Sequence, residues 1–248
     1  MADPNLPKQG FSAVSFLMVS KMVLEQNKPI TLAYREKPMN PYDSGWRIFH
    51  GKETPAYLQD PKNFVPCTAQ DLLKKDKTIT KILGQPIGSA YNKKRGKKWL
   101  RIKNFKFRDE RKVTKKIGED WQLELHNFFE EIDVEGALEY VMAGRSVRIV
   151  LWKYDDKTAE ETYQYHKENL ASLGDNGSLI LDTFEESNDE WKKIACQVKE
   201  KDGTKQYNVL HTFTIVNNKV LQVSLYFDAI EDKTWAVDTL ETVQYIGG

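Results

Sequence analysis

The chain has 248 residues, 40% hydrophobic, 11% aromatic and 29% charged, with a formal net charge of +1. That length suits two modest domains better than one, and six Trp with eleven each of Tyr and Phe exclude a collagen-like or broadly disordered chain. Two cysteines are too few for a disulfide scaffold. Cys67 and Cys196 lie far apart, outside any metal-ligand spacing, and read as reduced thiols of a cytoplasmic protein. No apolar run nears the ~18–20 residues of a membrane helix, and no secretory leader is expected.

The near-neutral total conceals a polarised molecule. Residues 1–92 carry a balance of +4, residues 93–116 one of +11, and residues 117–248 one of −14. Such asymmetry governs association and steering rather than fold. It predicts an N-terminal domain over residues 11–95, a basic connecting segment over 96–118 bounded by Gly96 and Gly118, and an acidic domain over 119–248.

In the N-terminal part, Ala13 to Val19 reads as a buried strand and Ile30 to Arg35 as an alternating one, separated by Asn27-Lys28-Pro29. Asp43-Ser44-Gly45 is expected to form a turn feeding a third strand, Trp46 to Phe49. Thr54-Pro55 opens a short helix, with Pro at its first position. Thr68 is an N-cap candidate for the next, and Thr78 to Leu83 reads as one more. Pro86 to Tyr91 returns to extended chain. The reading is a small mixed α+β domain.

These segments also resemble a known family. Val19-Ser20-Lys21-Met22-Val23, Tyr34-Arg35-Glu36-Lys37-Pro38, Asp43 to Gly51 and Pro86 to Tyr91 are similar in order and spacing to the immunity protein 33 domain family. Tyr57-Leu58 and Asp60-Pro61 match between the blocks, and Ser44-Gly45-Trp46-Arg47 is the most specific piece. The resemblance covers about a third of the chain. It implies a protein of bacterial toxin loci that neutralises a cognate toxin by binding it. Physically, Gly45 is expected to permit a positive-φ turn, Trp46 to cap the core, and Arg47 to pair with Asp43 or Glu36. The competing reading puts Asp43, Arg47 and His50 on one partner-binding rim.

Between residues 93 and 116, thirteen Lys and Arg interleave with Trp99, Phe105 and Phe107. Two readings stand: strands whose cationic stems lie over apolar surface, or a nucleic-acid-binding segment acting through Lys97, Lys98, Trp99 and Arg101. A third docks this basic run on the acidic half.

In the acidic part, Trp121, Leu123 and Leu125 alternate as a strand. Asp133 is expected to cap a helix running through Leu138 and Val141 to Gly144. Ser146 to Tyr154 reads as a buried strand, and Thr158 with Glu161 has capping-box spacing for a helix ending at Gly174. Four extended segments follow as an antiparallel meander: Leu179 to Glu186, Trp191 to Lys199, Gln206 to Val216 and Lys219 to Phe227. A last helix spans about Asp232 to Val243. This order, closing on Tyr226-Phe227-Asp228, resembles the PsbP-like α+β fold. That fold class, an antiparallel sheet with flanking helices, brings no catalytic residues with it.

No phosphate-binding loop or dinucleotide fingerprint is present, and His50, His126, His166 and His211 are scattered. No catalytic residue, metal site or cofactor is expected. The functional expectation is a non-enzymatic cytoplasmic immunity-type protein whose partner is a toxin, a basic one being the case the acidic half suits. The carboxylates Asp182, Glu185, Glu186, Asp189 and Glu190 are its expected contact rim.

Overall fold

The structure, a computed structural model, describes residues 15–94, 98–103, 105–175 and 177–247. The chain folds as two compact units divided in sequence between Glu110 and Arg111.

The first unit runs β1 (Phe16–Ser20), α1 (Lys21–Leu24), β2 (Leu32–Arg35), β3 (Asp43–Phe49), α2 (Pro55–Gln59), β4 (Phe64–Thr68), α3 (Ala69–Lys75), α4 (Thr80–Leu83), β5 (Ala90–Lys93) and β6 (Trp99–Arg101). Ala13 and Val14, with which the first strand was expected to open, lie outside the described residues. The six strands lie in the order β4-β1-β3-β2-β5-β6, with β1 and β3 parallel and the other neighbours antiparallel. Leu17, Val19, Ala33, Trp46 and Ile48 face one side of the sheet, where they meet Leu72, Ile79 and Ile82. Thr68 caps its helix as expected and Thr54 does the same where Pro55 was expected to open one, each hydroxyl accepting an otherwise unpaired backbone N–H. The Trp46 indole is fully buried, and its Nε1–H donates to the Leu83 carbonyl at 3.0 Å. It lies within this core.

One strand is absent from the sequence reading, and one expected turn needs correction. β4 does not read as a strand along the chain, because Pro66 interrupts its pattern; it is an edge strand, where Pro is tolerated. Asp43-Ser44-Gly45 is part of β3 rather than a turn before it. Phe16 pairs with Asp43 but Met18 with Arg47, so β3 holds a bulge opposite β1. The Asp43 carboxylate accepts the Gly45 N–H at 2.9 Å inside that bulge, and Gly45 takes φ +78°. A Cβ there would sit 2.2 Å from the Glu36 carbonyl oxygen. Gly45→Ala should therefore destabilise this unit by about 1–3 kcal/mol. A urea midpoint equal to that of the parent chain would contradict this account of the bulge.

The second unit contains β7 (Lys112–Ile117), β8 (Trp121–His126), β9 (Glu130–Val134), β10 (Ala137–Met142), β11 (Arg145–Lys153), α5 (Ala159–Ala171), β12 (Leu179–Ser187), β13 (Lys192–Asp202), β14 (Lys205–Val216), β15 (Lys219–Phe227), α6 (Lys233–Leu240) and β16 (Gln244–Tyr245). Seven strands form an antiparallel sheet in the order β12-β13-β14-β15-β11-β10-β9. Against one face lie Trp121, Leu123 and Leu125 of a three-stranded sheet, β16-β8-β7, together with Ala236 and Leu240 of α6. Against the other lies α5, through Tyr163 and Leu170 on Ile194, Val198, Phe213 and Val220. The expected capping box is complete: Thr158 accepts the Glu161 N–H, and Glu161 accepts that of Thr158.

The helix expected from Asp133 to Gly144 does not form. β9 and β10 pair as a hairpin, turning at Gly136 (φ +75°), and Gly144 (φ +73°) turns β10 into β11. Tyr140 and Val141 are both buried, on opposite faces of the sheet. Adjacent apolar residues of that kind mimic a helical pattern when a strand is covered on both sides.

Candidate functional site

Glu36, Asp43 and Arg47 form one ionic network on β3 and the segment after β2. The Arg47 guanidinium donates to both Asp43 carboxylate oxygens at 2.8 and 2.7 Å, and its Nε–H to Glu36 at 2.6 Å. Asp43 also accepts the backbone N–H of Met39 and Gly45. Burial alone would raise the Asp43 carboxyl, but Arg47 and these two N–H groups outweigh it and hold it below its ordinary range. Burial likewise opposes the Arg47 charge, yet Asp43 and Glu36 hold it above its ordinary value. Asp43 and Arg47 are 5% and 7% exposed. Both expected pairings of Arg47 are thus present, and two of the three rim residues are buried in the domain. His50 donates its Nδ1–H to the Pro29 carbonyl at 2.8 Å, and its backbone N–H goes to Glu53.

The basic run divides between the two units. Its first part is β6, an edge of the first sheet; its last is β7. Lys97 and Gly96 lie outside the described residues, and Lys98 and Arg101 are exposed. The aromatics are occupied by their own unit. Tyr34 packs on Phe49 at 5.3 Å and on Phe105 at 4.8 Å between ring centres, with Phe107 edge-on at 5.9 Å. Burial, followed by the Glu36 charge, pushes the Tyr34 hydroxyl up to about 12. Trp99 packs against the first core, donates to Thr78 at 3.1 Å and lies under the Lys93 ammonium. Base stacking would need those rings turned outward. Further along, Lys115 pairs with Glu131 and sits over Tyr140, within the second unit.

The expected acidic rim lies on β12 and the turn after it. Every one of the nine β12 residues is exposed, and the strand, the last in its sheet, pairs with β13 alone among the described residues. Asp182, Glu185 and Glu186 extend along it, while Asp189 and Glu190 stand in the turn to β13. Lysines from neighbouring elements temper the charge: Asp182 pairs with Lys233, Glu185 with Lys167, and Glu186 with Lys193. Among these carboxylates stand exposed Leu179, Ile180, Leu181 and Phe184, which charge counting along the chain does not single out. An apolar residue on a strand reads as core until the strand's position in the sheet is known.

A further constellation is visible only in three dimensions. Strand register aligns Thr183, Cys196, His211, Ser224, Arg148 and Glu139 across one face of the large sheet. His211 contacts Ser224 Oγ through Nδ1 at 2.8 Å and Glu200 through Nε2 at 2.7 Å. The Ser–His–Glu order resembles an activated hydroxyl, but Ser224 is 2% exposed, so its hydroxyl is closed to solvent. Cys67 and Cys196 are both buried with raised thiol pKa values, burial being the main cause, so both are held in the protonated form. Elsewhere, a polar cleft of about 270 Å³ is lined by Thr114, Gln122, Leu123, Glu124, Glu241, Thr242 and Gln244. No group of three His, Cys, Asp or Glu side chains suited to a metal ion occurs among the described residues.

The bulged strand with its buried Asp–Arg pair lies inside a recognisable domain. Residues 17–103 match the Immunity protein Imm33 domain. The Imm33 match thus spans β1 to β6 and ends before the second unit. No curated protein matches the chain in sequence. Among solved structures, the chain is similar to cyanobacterial PsbP from Synechocystis sp. PCC 6803, at 10% identity and a TM-score of 0.42, over 58% of this chain and 96% of that one. It is also similar to the Saccharomyces cerevisiae Ran-binding protein Mog1p, at 13% identity and a TM-score of 0.38, over 56% and 96% of the two chains. No helix among the described residues is long and apolar enough to cross a membrane.

Proposed function

We propose that this chain is a non-enzymatic immunity-type protein of the bacterial cytoplasm that binds a cognate toxin and neutralises it without a cofactor. The Imm33 match over residues 17–103 carries this reading. The charge distribution supports it, since −14 over residues 117–248 would speed encounter with a basic toxin. The occupied rings of Trp99, Phe105 and Phe107 favour it over a nucleic-acid role for the basic run.

The test is co-expression with the toxin product of the adjacent gene. Cells carrying both genes should survive, and the two proteins should co-purify. The association rate should fall steeply between low and physiological salt. A pull-down that recovers no toxin, with no protection of the cells, removes the reading.

A further inference from the structure

We infer that β12 is a strand-addition site for an extended basic segment of the toxin that carries an apolar side chain among its basic ones. The inference rests on the immunity reading and names the surface and the chemistry of its contact.

A sheet edge offers a row of backbone N–H and C=O groups to any extended chain of suitable shape. Natural proteins keep such edges short, bulged or charged, because an open edge invites aggregation. β12 is nine residues long and exposed throughout, whereas β9, at the opposite edge, has five residues. It retains two of the protective devices. A register shift interrupts its pairing with β13 between Ile180 and Asp182, and the Asp182 carboxylate accepts the Thr183 N–H at 3.0 Å. What remains after Asp182 is a regular run pairing Thr183 with Cys196 through to Ser187 with Lys192.

The side chains of that run specify the occupant. Asp182, Phe184 and Glu186 share one face of the strand; Thr183 and Glu185 share the other, where Tyr163 and Lys167 of α5 meet Glu185. The strand itself carries three carboxylates and no cation; each is exposed and paired on one side with a lysine of a neighbouring element. A second strand laid beside it brings its side chains to about 4.5–5.5 Å from these residues. Favourable neighbours are therefore Lys or Arg beside Asp182, Glu185 and Glu186, and an apolar residue beside Phe184. A second copy of this chain would set carboxylate rows against each other, with Asp189 and Glu190 adding to the repulsion. Charge complementarity selects a basic partner strand over self-pairing.

The experiment measures affinity of the full chain for the purified toxin product of the adjacent gene. Two edge variants are compared with the parent: Thr183→Pro, and the double substitution Asp182→Lys with Glu186→Lys. A control reverses two carboxylates outside β12 and its turn, Asp156→Lys with Glu119→Lys. Both edge variants should lose affinity by about 30-fold, with unfolding midpoints near that of the parent, while the control loses at most a few-fold. The paired edge variants keep the result readable should Thr183→Pro fail to fold. Edge variants that bind like the parent would overturn the strand-addition site and leave the immunity reading standing. A parent chain that does not bind the toxin would overturn both. Concentration-dependent dimers of the parent that Thr183→Pro abolishes would assign the edge to a second copy and overturn the basic partner.

Discussion

Arg47→Met should destabilise the first unit by about 3–5 kcal/mol, the cost of leaving a buried carboxylate without its partner. Asp43 is the group left behind. It is almost wholly buried, and in the native chain both its oxygens accept from Arg47 as well as from Gly45 or Met39. Methionine fills the volume but supplies neither donor, so the Asp43 carboxyl moves up from its depressed value and takes a proton more readily. The double variant Arg47→Met with Asp43→Leu removes the stranded charge and should recover part of the loss, since a buried ion pair adds little beyond what an apolar pair of similar volume gives. Recovery will be partial, because Asp43 also holds the bulge through the Gly45 N–H. Urea unfolding of the parent, the single and the double variant checks both statements. A single variant as stable as the double would show that the pair is not what Asp43 depends on.

The acid limb of this pair has a defined sign. The folded Asp43 pKa lies below its ordinary 3.8. Its contribution is therefore complete above that value and is lost as pH falls through the lower folded value.

His166 has the second large effect, and at a different pH. It sits on α5, 3% exposed, stacked on Phe213 at 4.1 Å with Tyr154 and Tyr165 edge-on. Neither ring nitrogen has a hydrogen-bond partner among the described residues, and burial pushes its pKa down from 6.5 to about 4. The folded chain therefore holds it neutral while the unfolded chain protonates it below pH 6.5. Stability of the second unit should fall as pH drops from 6.5 towards 4, by about 3 kcal/mol in all. His166→Leu should abolish that loss and, at pH 7.5, be as stable as the parent or more so by about 1 kcal/mol, since two unpaired polar atoms leave the core. Urea midpoints at pH 7.5 and 4.5 decide it. Parallel losses in parent and variant would place the acid sensitivity in a group other than His166.

Features written within a few neighbouring residues are legible in the sequence itself. The Thr158–Glu161 capping box, the caps at Thr54 and Thr68, the positive-φ requirement at Gly45 and the four-strand meander all depend on local geometry. So do the Arg47 pairings, because Asp43 lies four residues away and Glu36 follows the neighbouring strand. The hairpin at Glu130–Met142 reads as a helix along the chain for a physical reason. Both faces of β10 are covered, so its apolar residues stop alternating, and their spacing no longer distinguishes a strand from a helix.

Composition and short-range spacing thus determined where most helices and turns fall and where charge accumulates. Tertiary structure alone decided which residues face water and which face each other. Asp43 and Arg47 are polar yet buried, whereas Leu181 and Phe184 are apolar yet exposed. The reason lies in strand order: β12 ends its sheet because no later segment among the described residues pairs beside it, and that outcome depends on contacts among residues distant in the chain. Register within the meander, by contrast, brings Ser224, His211 and Glu200 together, with Ser224 buried.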